Sequence, residues 1–521
     1  MSLHDLLTQY AALAWLVLVP FCAALVIMLI PRAWHLTYRL VAAISTGFTL
    51  ILSVLLAWDY LSLIKAGQVP QSFQDIWHYA FAPQVMSFMG GKITFHLATD
   101  GAGVAMCLLT ALTIFTGVFA SWTLQERAKE YYALLLLLVA GVFGVFVTVD
   151  LFFFFLFYEI AVLPMYLLIG IWGTGQKEYS AMKLTLMLLM GSALIIVGFL
   201  ALFVAADKAT DGGGTFNLLQ LAVVAKDAFA DAQFQRWVFL AFYVGFGVLA
   251  GIFPIHTWSP DGHASAPTAT SMLHAGVLMK LGGFGLLRVA LPLLPEGLAD
   301  WRWLIVIVAA WNIVYGAFSA MGQKDLKYVV AYSSVSHLGM VMMGLAAGTL
   351  TSINGAVFQM FAHGVMTALF FALVGLVYSK AHTRDIDAMG GLARVAPGLA
   401  VAFMIGGLSS VGLPGTGGFV AEFLVFMGTF QANMQHAGMW MVAAFACFGI
   451  VITSIYVLRL LKRVFFGVMH PKYAHMEDAK TTEWVALAMN AAVIIAVGIW
   501  PKPIIELISS AVMPLLTIIS K

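Results

Sequence analysis

The sequence predicts an all-α polytopic membrane protein of about 14 transmembrane helices, with two inverted five-helix repeats and breaks in spans 7 and 12. Three observations support this fold class. Of 521 residues, 62% are hydrophobic and 10% are charged, whereas soluble chains average about 45–50% apolar and about 25% charged residues. Apolar stretches of about 20 residues recur along the chain. Two of them are interrupted by Pro and Gly. We therefore expect a single integral membrane domain over residues 1–521, and the composition excludes a soluble enzyme.

Hydropathy places the spans along the whole chain. The predicted spans cover, in order, residues 11–31, 37–58, 100–122, 131–149, 150–172, 180–206, 236–257, 264–290, 302–321, 326–346, 354–379, 397–430, 437–464 and 484–505. Spans 4 and 5 are separated at Val149 and Asp150, because a charged residue would otherwise lie at membrane depth. The polar stretch 207–235 contains three consecutive glycines and then a short interfacial helix.

The distribution of Lys and Arg predicts the orientation. Cytoplasmic loops carry an excess of basic residues. If the N-terminus lies outside, most of the Lys and Arg in this chain fall in cytoplasmic loops. We therefore expect both termini on the outer, periplasm-like side. No run of basic residues stands out, so a nucleic-acid partner is not expected.

Two spans are interrupted in corresponding positions. Span 7 carries GIFPIHTWSPDGHASAP, with Pro254 and Pro260, and span 12 carries GLPGTGGFVAEF, with Pro414. Pro removes a backbone donor and Gly loosens a helix, and broken helices at depth are tolerated where neighbours or water satisfy the freed groups. Paired breaks five spans apart predict an inverted repeat with an ion path. The repeats would be spans 4–8, about 131–290, and spans 9–13, about 302–464.

Three charged residues fall well inside apolar spans: Glu159, Lys280 and Glu422. A charged group at mid-depth costs at least about 2.5–3.5 kcal/mol on insertion scales. Such residues are retained where they pair with one another, face a wet cavity or carry protons. A structural ion pair between helices is the alternative reading, but the recurrence on separate spans and the nearby helix breaks favour proton transfer.

His337 and His363 form a second set inside the spans, among Ser, Gln and Thr side chains. Imidazole titrates near neutrality and both accepts and donates a proton, so these residues indicate a hydrated polar path, although a lone buried His is more often a packing residue. His274 is the weaker member of this set. The chain has no HExxH spacing and no His/Cys cluster, and its three cysteines are far apart, so no metal is expected. It also has no flavin, haem, iron–sulfur or nucleotide motif, and we expect no cofactor in this chain.

The run FPIHTWSPDGHASAPTATSMLHAGVLMKLGGFGLLR resembles the antiporter-like subunits of respiratory complex I, as do GQKDLKYVVAYSSVSHLGMV, GAVFQMFAHGVMTALFF and GLPGTGGFVAEF. The resemblance is strongest over about residues 100–465. Within the family it is closest to the subunit M branch of bacterial NADH-quinone oxidoreductase, the counterpart of mitochondrial subunit 4. A short C-terminus and a Glu in span 12, where other branches carry Lys, favour that branch.

The resemblance implies a role for each buried titratable residue. Glu159 matches the fifth-span Glu that forms an ion pair in the family, and Lys280 matches the bridging Lys of the eighth span. His337 and His363 match the histidines that link the central axis. Glu422 matches the terminal acid of the twelfth span.

One position departs from the family pattern. The family places a Lys on span 7, five residues before the Pro of a P-x-H-x-W element. This chain reads PIHTW from Pro254, and the corresponding residue is Leu249. Glu159 therefore lacks its expected cation. We expect an orphan carboxyl, unless another span or a neighbouring subunit supplies a basic group, or His256 or His274 with water replaces the Lys.

The resemblance implies a non-redox, proton-translocating membrane-arm subunit of an NADH:quinone oxidoreductase, a translocase. It would lie in the bacterial cytoplasmic (inner) membrane between homologous antiporter-like subunits, with flavin and iron–sulfur clusters in other subunits. Two alternatives stay open. One is a subunit of a cation/proton antiporter, a membrane-bound hydrogenase or an inorganic-carbon pump. The other is a scaffold subunit in which Leu249 has impaired pumping.

Overall fold

The predicted spans are helices in the structure, and two of them are broken. The computed structural model describes residues 3–9, 11–88 and 91–519. The spans in order are Ala12–Leu29, His35–Lys65, Gly101–Ala120, Ala128–Val147, Leu151–Trp172, Lys177–Ala209, Ala232–Ala250 with Trp258–Ser265, Thr268–Leu293, Pro295–Met321, Leu326–Ala347, Leu350–Ala381, Pro397–Ser410 with Gly417–Gln431, Met439–Val464 and Thr481–Ile499. The predicted location of the termini falls on residues 1, 2, 520 and 521, which lie outside the described residues.

The breaks in spans 7 and 12 are built alike. The first half of span 7 ends at Gly251 (φ 69°) and Pro254 follows, while span 12 breaks at Gly412 (φ 73°) and Pro414 follows. A positive φ suits glycine because it has no Cβ. In span 7 the side-chain Oδ1 of Asn312 accepts a hydrogen bond from the freed Phe253 N–H at 2.8 Å. The similarity of the breaks agrees with an inverted repeat, whose boundaries stay a prediction.

The best-buried part of the molecule is formed by spans 8, 10 and 11. Every residue from 269 to 294 is buried, and spans 10 and 11 are buried over nearly their whole length. Spans 1, 2 and 13, by contrast, leave large apolar side chains exposed, including Leu29, Ile44 and Phe448. The inner spans lie where the two predicted repeats meet, so this core positions the titratable residues away from lipid.

Span 8 is not a regular α-helix. π-helical turns at His274–Leu278 and Leu286–Ala290 flank the α-helical segment Lys280–Gly285. A π-turn widens the helix by one residue and frees a carbonyl from the regular hydrogen-bond ladder. Here the Lys280 ammonium group donates to the Ala275 carbonyl within the first π-turn. The irregular helix therefore supplies a backbone acceptor for a buried cation.

Asp150 explains why spans 4 and 5 are separate helices. Its carboxylate caps span 5 by accepting from the backbone N–H of Phe152 at 3.0 Å and of Phe153 at 3.4 Å, and it also accepts from Thr94 N at 3.2 Å. A buried carboxylate that satisfies three backbone donors ends one helix and begins the next. The predicted split at Val149 and Asp150 is therefore confirmed.

Several elements outside the spans cover one end of the bundle, which we expect to be the outer one. Helix Leu3–Gln9 precedes span 1, and helix Leu218–Ala228 is the predicted interfacial helix between spans 6 and 7. Between spans 2 and 3, strand His78–Phe81 pairs with Leu97–Thr99, and Gln84–Phe88 pairs with Gly91–Thr94. The sequence analysis did not identify these hairpins. Four 3₁₀ turns lie in other loops, at Ile386–Ala388, Leu392–Arg394, Ala432–Met434 and Pro471–Tyr473.

A helix after span 14 was also not identified. Span 14 ends at Ile499, before the predicted residue 505, and helix Lys502–Ile519 follows Pro501. In this helix the Ser510 hydroxyl lies 3.4 Å from the Tyr60 hydroxyl, and Ser509 accepts a hydrogen bond from Asn354 at 2.7 Å. Tyr60 and Asn354 belong to the ends of spans 2 and 11 that lie at the same face of the bundle. This last helix is apolar and long enough to cross a membrane by composition, but it packs across the span ends instead.

Candidate functional site

Lys280 and His363 form the centre of the site. Lys280 is fully buried, and its Nζ lies 2.8 Å from Nδ1 of His363 on span 11. Among the described residues, no carboxylate lies within ion-pair distance of Lys280. A buried lysine that contacts an imidazole nitrogen can share its proton with that ring. The structure thus brings together two of the residues that the sequence singled out.

His337 continues the contact from His363 towards span 12. The two imidazole rings lie 5.0 Å apart between centroids. Nδ1 of His337 faces the Gln359 amide nitrogen at 3.0 Å and Glu422 Oε1 at 3.7 Å, and Nε2 lies 3.2 Å from the Ser410 hydroxyl. A neutral His337 accepts from Gln359 at Nδ1, whereas a protonated ring presents an N–H to the Glu422 carboxylate. His337 therefore has a different partner in each protonation state.

The break in span 12 makes room for Glu422. A Cβ at position 412 would overlap Oε2 of Glu422 and lie 3.1 Å from its Cδ. Only glycine leaves that space, and Gly412 also has a positive φ. Glu422 itself is buried. We call Lys280, His363, His337 and Glu422 the buried row; they come from spans 8, 11, 10 and 12.

The sequence analysis missed His263, which lies beside the weaker candidate His274. Their ring centroids are 4.1 Å apart, and His263 Nε2 lies 3.2 Å from the Met279 sulfur. His263 is also within electrostatic range of Lys280 and of the buried Lys327 on span 10. The sequence signal for His263 is the polar run PDGHASAP after the span 7 break, which the sequence analysis interprets only as a helix interruption. These groups extend the buried row towards the second half of span 7.

An ion pair that the sequence analysis also missed fixes this half of span 7. Lys183 Nζ on span 6 lies 2.7 Å from Asp261 Oδ2, and the Tyr328 hydroxyl donates to Asp261 Oδ1 at 3.2 Å. Three spans therefore meet at Asp261. All three side chains lie at the end of the bundle where basic residues predict the cytoplasm.

Glu159 lies apart from the buried row. One of its carboxylate oxygens, Oε1, is buried without a hydrogen-bond partner, and Ser192 on span 6 is a polar neighbour of the carboxyl. Within the described part of the chain, no Lys, Arg or His nitrogen lies within 4 Å of its carboxylate. Leu249 is buried at 1% exposure. His256 contacts Phe253 and Tyr315 rather than Glu159.

The buried row is a line of titratable side chains. Over residues 3–9, 11–88 and 91–519, no group of three or more His, Cys, Asp or Glu side chains is placed to hold a metal ion. Each member of the buried row can gain or lose a proton. The chemistry available to this arrangement is therefore proton transfer and the electrostatic coupling of one protonation to the next.

The sequence of this chain matches a known protein family and is similar to known quinone oxidoreductase subunits. The family described as "NADH:quinone oxidoreductase/Mrp antiporter, TM" matches residues 148–453. An NADH-quinone oxidoreductase subunit M of Rhodobacter capsulatus is 38% identical over 429 residues, 80% of this chain and 81% of the relative. An NAD(P)H-quinone oxidoreductase chain 4 of Synechococcus sp. (strain JA-3-3Ab) is 35% identical over 505 residues, 95% of this chain and 90% of the relative.

The structural comparison covers nearly the whole chain. A chain of respiratory complex I from Thermus thermophilus with bound NADH superposes with a TM-score of 0.83 at 27% identity. The superposition covers 98% of this chain and 99% of that chain. It confirms the predicted fold class.

Proposed function

Because the chain belongs to the family of NADH:quinone oxidoreductase and Mrp antiporter membrane subunits, we propose that it moves protons through the buried row and has no redox chemistry of its own. The single observation that carries this proposal is the continuity of the row. Lys280, His363, His337 and Glu422 follow one another with separations of 2.8 Å between Nζ and Nδ1, 5.0 Å between rings and 3.7 Å between Nδ1 and Oε1.

The first transfer is between Lys280 and His363. The ammonium group of Lys280 gives a proton to Nδ1 of His363, leaving a neutral amine that still donates to the Ala275 carbonyl. His363 then carries one proton on each nitrogen. Its Nε2 has no hydrogen-bond partner among the residues that the structure describes, so that nitrogen is free to release a proton towards His337.

The second transfer uses the two partners of His337. In the neutral ring, Nδ1 accepts a hydrogen bond from the Gln359 amide nitrogen. Once Nδ1 gains a proton it becomes a donor, and the Glu422 carboxylate, 3.7 Å away, becomes its acceptor. Glu422 accepts the proton and becomes neutral, and His337 returns to the Gln359 hydrogen bond. A change of charge at one end of the row alters the proton affinity of the next group. Because of this coupling, redox chemistry in another subunit can drive the proton transfers.

In this proposal the chain is a membrane-arm subunit of an NADH:quinone oxidoreductase translocase. The flavin and iron–sulfur clusters belong to other subunits, and homologous antiporter-like subunits flank this chain. The complex lies in the bacterial inner membrane, with both termini on the outer side. The similarity to a subunit M and a chain 4 over most of their lengths supports this choice over the antiporter, hydrogenase and carbon-pump alternatives.

The scaffold alternative is favoured by one observation: in the described part of the chain, no cation lies within 4 Å of the Glu159 carboxylate. The buried row does not include Glu159, however, and each of its four residues lies next to another titratable member of the row. We therefore propose that Leu249 affects the connection to Glu159 and leaves transfer along the row intact.

The experiment compares Lys280→Ala and Glu422→Ala in the purified complex reconstituted into liposomes. Each variant should assemble and lose most proton pumping and coupled quinone reduction, because the row then lacks a donor or an acceptor. Thr116→Val is the control, since the Thr116 hydroxyl is also buried but bonds only carbonyls of its own helix. Normal pumping in both row variants would refute the proposal.

A further inference from the structure

One contact of the buried row has no part in the proposed transfers. Nε2 of His337 lies 3.2 Å from the hydroxyl oxygen of Ser410. Both side chains are buried, His337 at 3% and Ser410 at 1% exposure. A hydroxyl can either donate or accept a hydrogen bond. The direction of this hydrogen bond therefore depends on which nitrogen of the ring carries the hydrogen.

The other ring nitrogen fixes that direction. The Gln359 amide nitrogen lies 3.0 Å from Nδ1 of His337, and an amide NH₂ group can only donate. In a neutral imidazole one nitrogen carries the hydrogen and the other accepts, so Nδ1 accepts and the hydrogen lies on Nε2. The Ser410 hydroxyl oxygen therefore accepts from Nε2–H. This hydrogen bond favours one of the two neutral tautomers of His337.

The favoured tautomer is the one that the proposed transfers need. It leaves a lone pair on Nδ1, the nitrogen that lies 3.7 Å from Oε1 of Glu422. A protonated ring carries a hydrogen on both nitrogens, and its Nε2–H still has Ser410 as its acceptor. Ser410 is thus a partner in both protonation states, whereas Nδ1 exchanges Gln359 for Glu422. In the opposite tautomer, Nδ1 would already carry a hydrogen and could not take up the transferred proton.

The break in span 12 brings Ser410 to the ring. The first half of the span ends at Ser410, the chain turns at Gly412 with φ 73°, and the second half begins at Gly417. The last carbonyl groups of a helix have no partner within that helix and carry a partial negative charge. Ser410 therefore presents to His337 a hydroxyl acceptor at the negative end of a helix. Both features stabilise a positively charged ring.

We propose that Ser410 is a positioning residue for His337: it accepts from Nε2–H in both protonation states and so reserves Nδ1 for the proton that passes to Glu422. This role rests on the proposed function, because it belongs to a transfer along the buried row. Ser410 itself gains and loses no proton. It fixes the tautomer of the neutral ring and stabilises the charged ring by a charge-assisted hydrogen bond.

Neighbouring serines do not duplicate this role. Ser409 is as deeply buried as Ser410, at 1% exposure, but its hydroxyl has no hydrogen-bond partner among the described residues. Ser333 on span 10 donates to the Val330 carbonyl at 2.8 Å, as hydroxyls within helices commonly do. The loss of the Ser410 hydroxyl should therefore affect His337, and the loss of the Ser409 hydroxyl should not.

The test is the pH dependence of proton pumping by the intact complex in liposomes. Ser410→Ala should assemble and pump about tenfold more slowly at pH 7, the size expected when a charged group loses a hydrogen bond. The loss should be larger at pH 8 than at pH 6, because a ring without its acceptor binds the second proton less tightly and a higher proton concentration compensates. A structural defect alone would lower pumping by the same factor at each pH. The substitution leaves in place the titratable groups near His337 and Ser410, which are Lys280, His363, Glu422 and Tyr456.

Three further variants are matched to Ser410→Ala. Ser409→Ala removes a buried hydroxyl from the same half of span 12 and should pump like the wild type at each pH. Ser410→Thr keeps the acceptor and should restore most of the pumping. If Ser410→Ala does not assemble, Ser410→Cys replaces it, since a thiol is close to a hydroxyl in size but is a weak acceptor, and it should show the same pH-dependent loss.

Four results would overturn the role of Ser410. These are wild-type pumping by the variant that lacks the hydroxyl, a loss that is equal at each pH, the same pH-dependent loss in Ser410→Thr, and the same pH-dependent loss in Ser409→Ala.

The two proposals fail separately. If Lys280→Ala and Glu422→Ala abolish pumping while Ser410→Ala matches Ser409→Ala at each pH, the buried row stands and the role of Ser410 is wrong. If both row variants pump normally, the proposed function is wrong, and the tautomer is tested by infrared spectroscopy of the complex with isotope-labelled histidine, with the bands of His337 assigned from His337→Gln. A change in the tautomer bands between the wild type and Ser410→Ala supports the hydrogen bond to Nε2–H, and identical bands contradict it.

Discussion

Gly412→Ala is the sharpest single test of the geometry around Glu422. The new methyl group would overlap Oε2 and lie 3.1 Å from Cδ of Glu422. Since non-bonded contacts settle at about 3.5–4.0 Å, the carboxyl has to shift by roughly 1 Å. Its oxygen Oε1 now lies 3.7 Å from His337 Nδ1. A change of that size alters the Coulomb energy of a His337–Glu422 charge pair by roughly 1 kcal/mol at an effective dielectric constant of about 20.

This energy predicts the size of the functional effect. One kcal/mol is about fivefold in the equilibrium of the His337-to-Glu422 transfer. We expect the proton-pumping rate of the Gly412→Ala complex in liposomes to fall by about fivefold to tenfold, with the complex still assembled. The assay is pH-dye quenching driven by quinone reduction, with assembly checked by native electrophoresis.

Gly415→Ala provides a matched control. Gly415 lies in the same break with φ 93°, and a Cβ there would meet no atom within 4 Å. Both variants carry the cost of a positive φ, about 1 kcal/mol, but only Gly412→Ala disturbs the carboxyl. If both variants lose the same share of pumping, the effect comes from backbone strain, and our reasoning about Glu422 is refuted.

Three further predictions concern other parts of the molecule. Leu249→Lys should raise pumping or leave it unchanged when measured in liposomes, and a collapse of pumping in an assembled complex would place Leu249 on a working path of its own. His96 contacts Asn217 at 2.7 Å, and burial lowers the pKa of the His96 imidazole, so the fold favours the neutral ring. The neutral ring stabilises the folded state fully above the unfolded pKa of about 6.5, and this stabilisation is lost as the pH falls below that value. Hydrogen exchange of segment 91–99, corrected for intrinsic rates, should therefore become faster as the pH is lowered from 7.5 to 5.5, and His96→Gln should remove that pH dependence. The same pH dependence in His96→Gln as in the wild type would contradict this role of His96. Asp150→Ala should destabilise the start of span 5 by about 1–2 kcal/mol, seen as faster exchange at Phe152 and Phe153, whereas equal exchange in the variant and the wild type would exclude the capping role.

The sequence identified the parts of the site that stand out against an apolar background. A charge inside a membrane span is conspicuous, so Lys280, Glu422 and Glu159 could be found without a structure, and Pro254 and Pro414 marked the breaks. Which of these residues lie together depends on how the spans pack, and hydropathy carries no information about that. Glu159 proved to lie on the outside of the bundle rather than in the buried row.

The residues that were missed lie where the sequence is already polar. His263 and Lys183 are near span ends, where a charged or polar side chain needs no explanation. Only the fold shows that His263 is buried beside His274 and that Lys183 pairs with Asp261. The predicted span 14 extends to residue 505 and so includes Pro501, and no helix is predicted after it, whereas the structure has a separate helix at Lys502–Ile519. The π-turns of span 8 have no signature in the sequence, because they depend on how Lys280 and its neighbours pack.

The central claim is that Glu422 gains and loses a proton during turnover, and infrared difference spectroscopy of the reconstituted complex tests it most directly. Spectra recorded between the resting complex and the complex turning over with NADH should contain a carboxylic-acid band that shifts when glutamate is labelled with ¹³C. The account predicts that this band disappears in Glu422→Gln and persists in Thr116→Val. A carboxylic-acid difference spectrum that is unchanged in Glu422→Gln would contradict it.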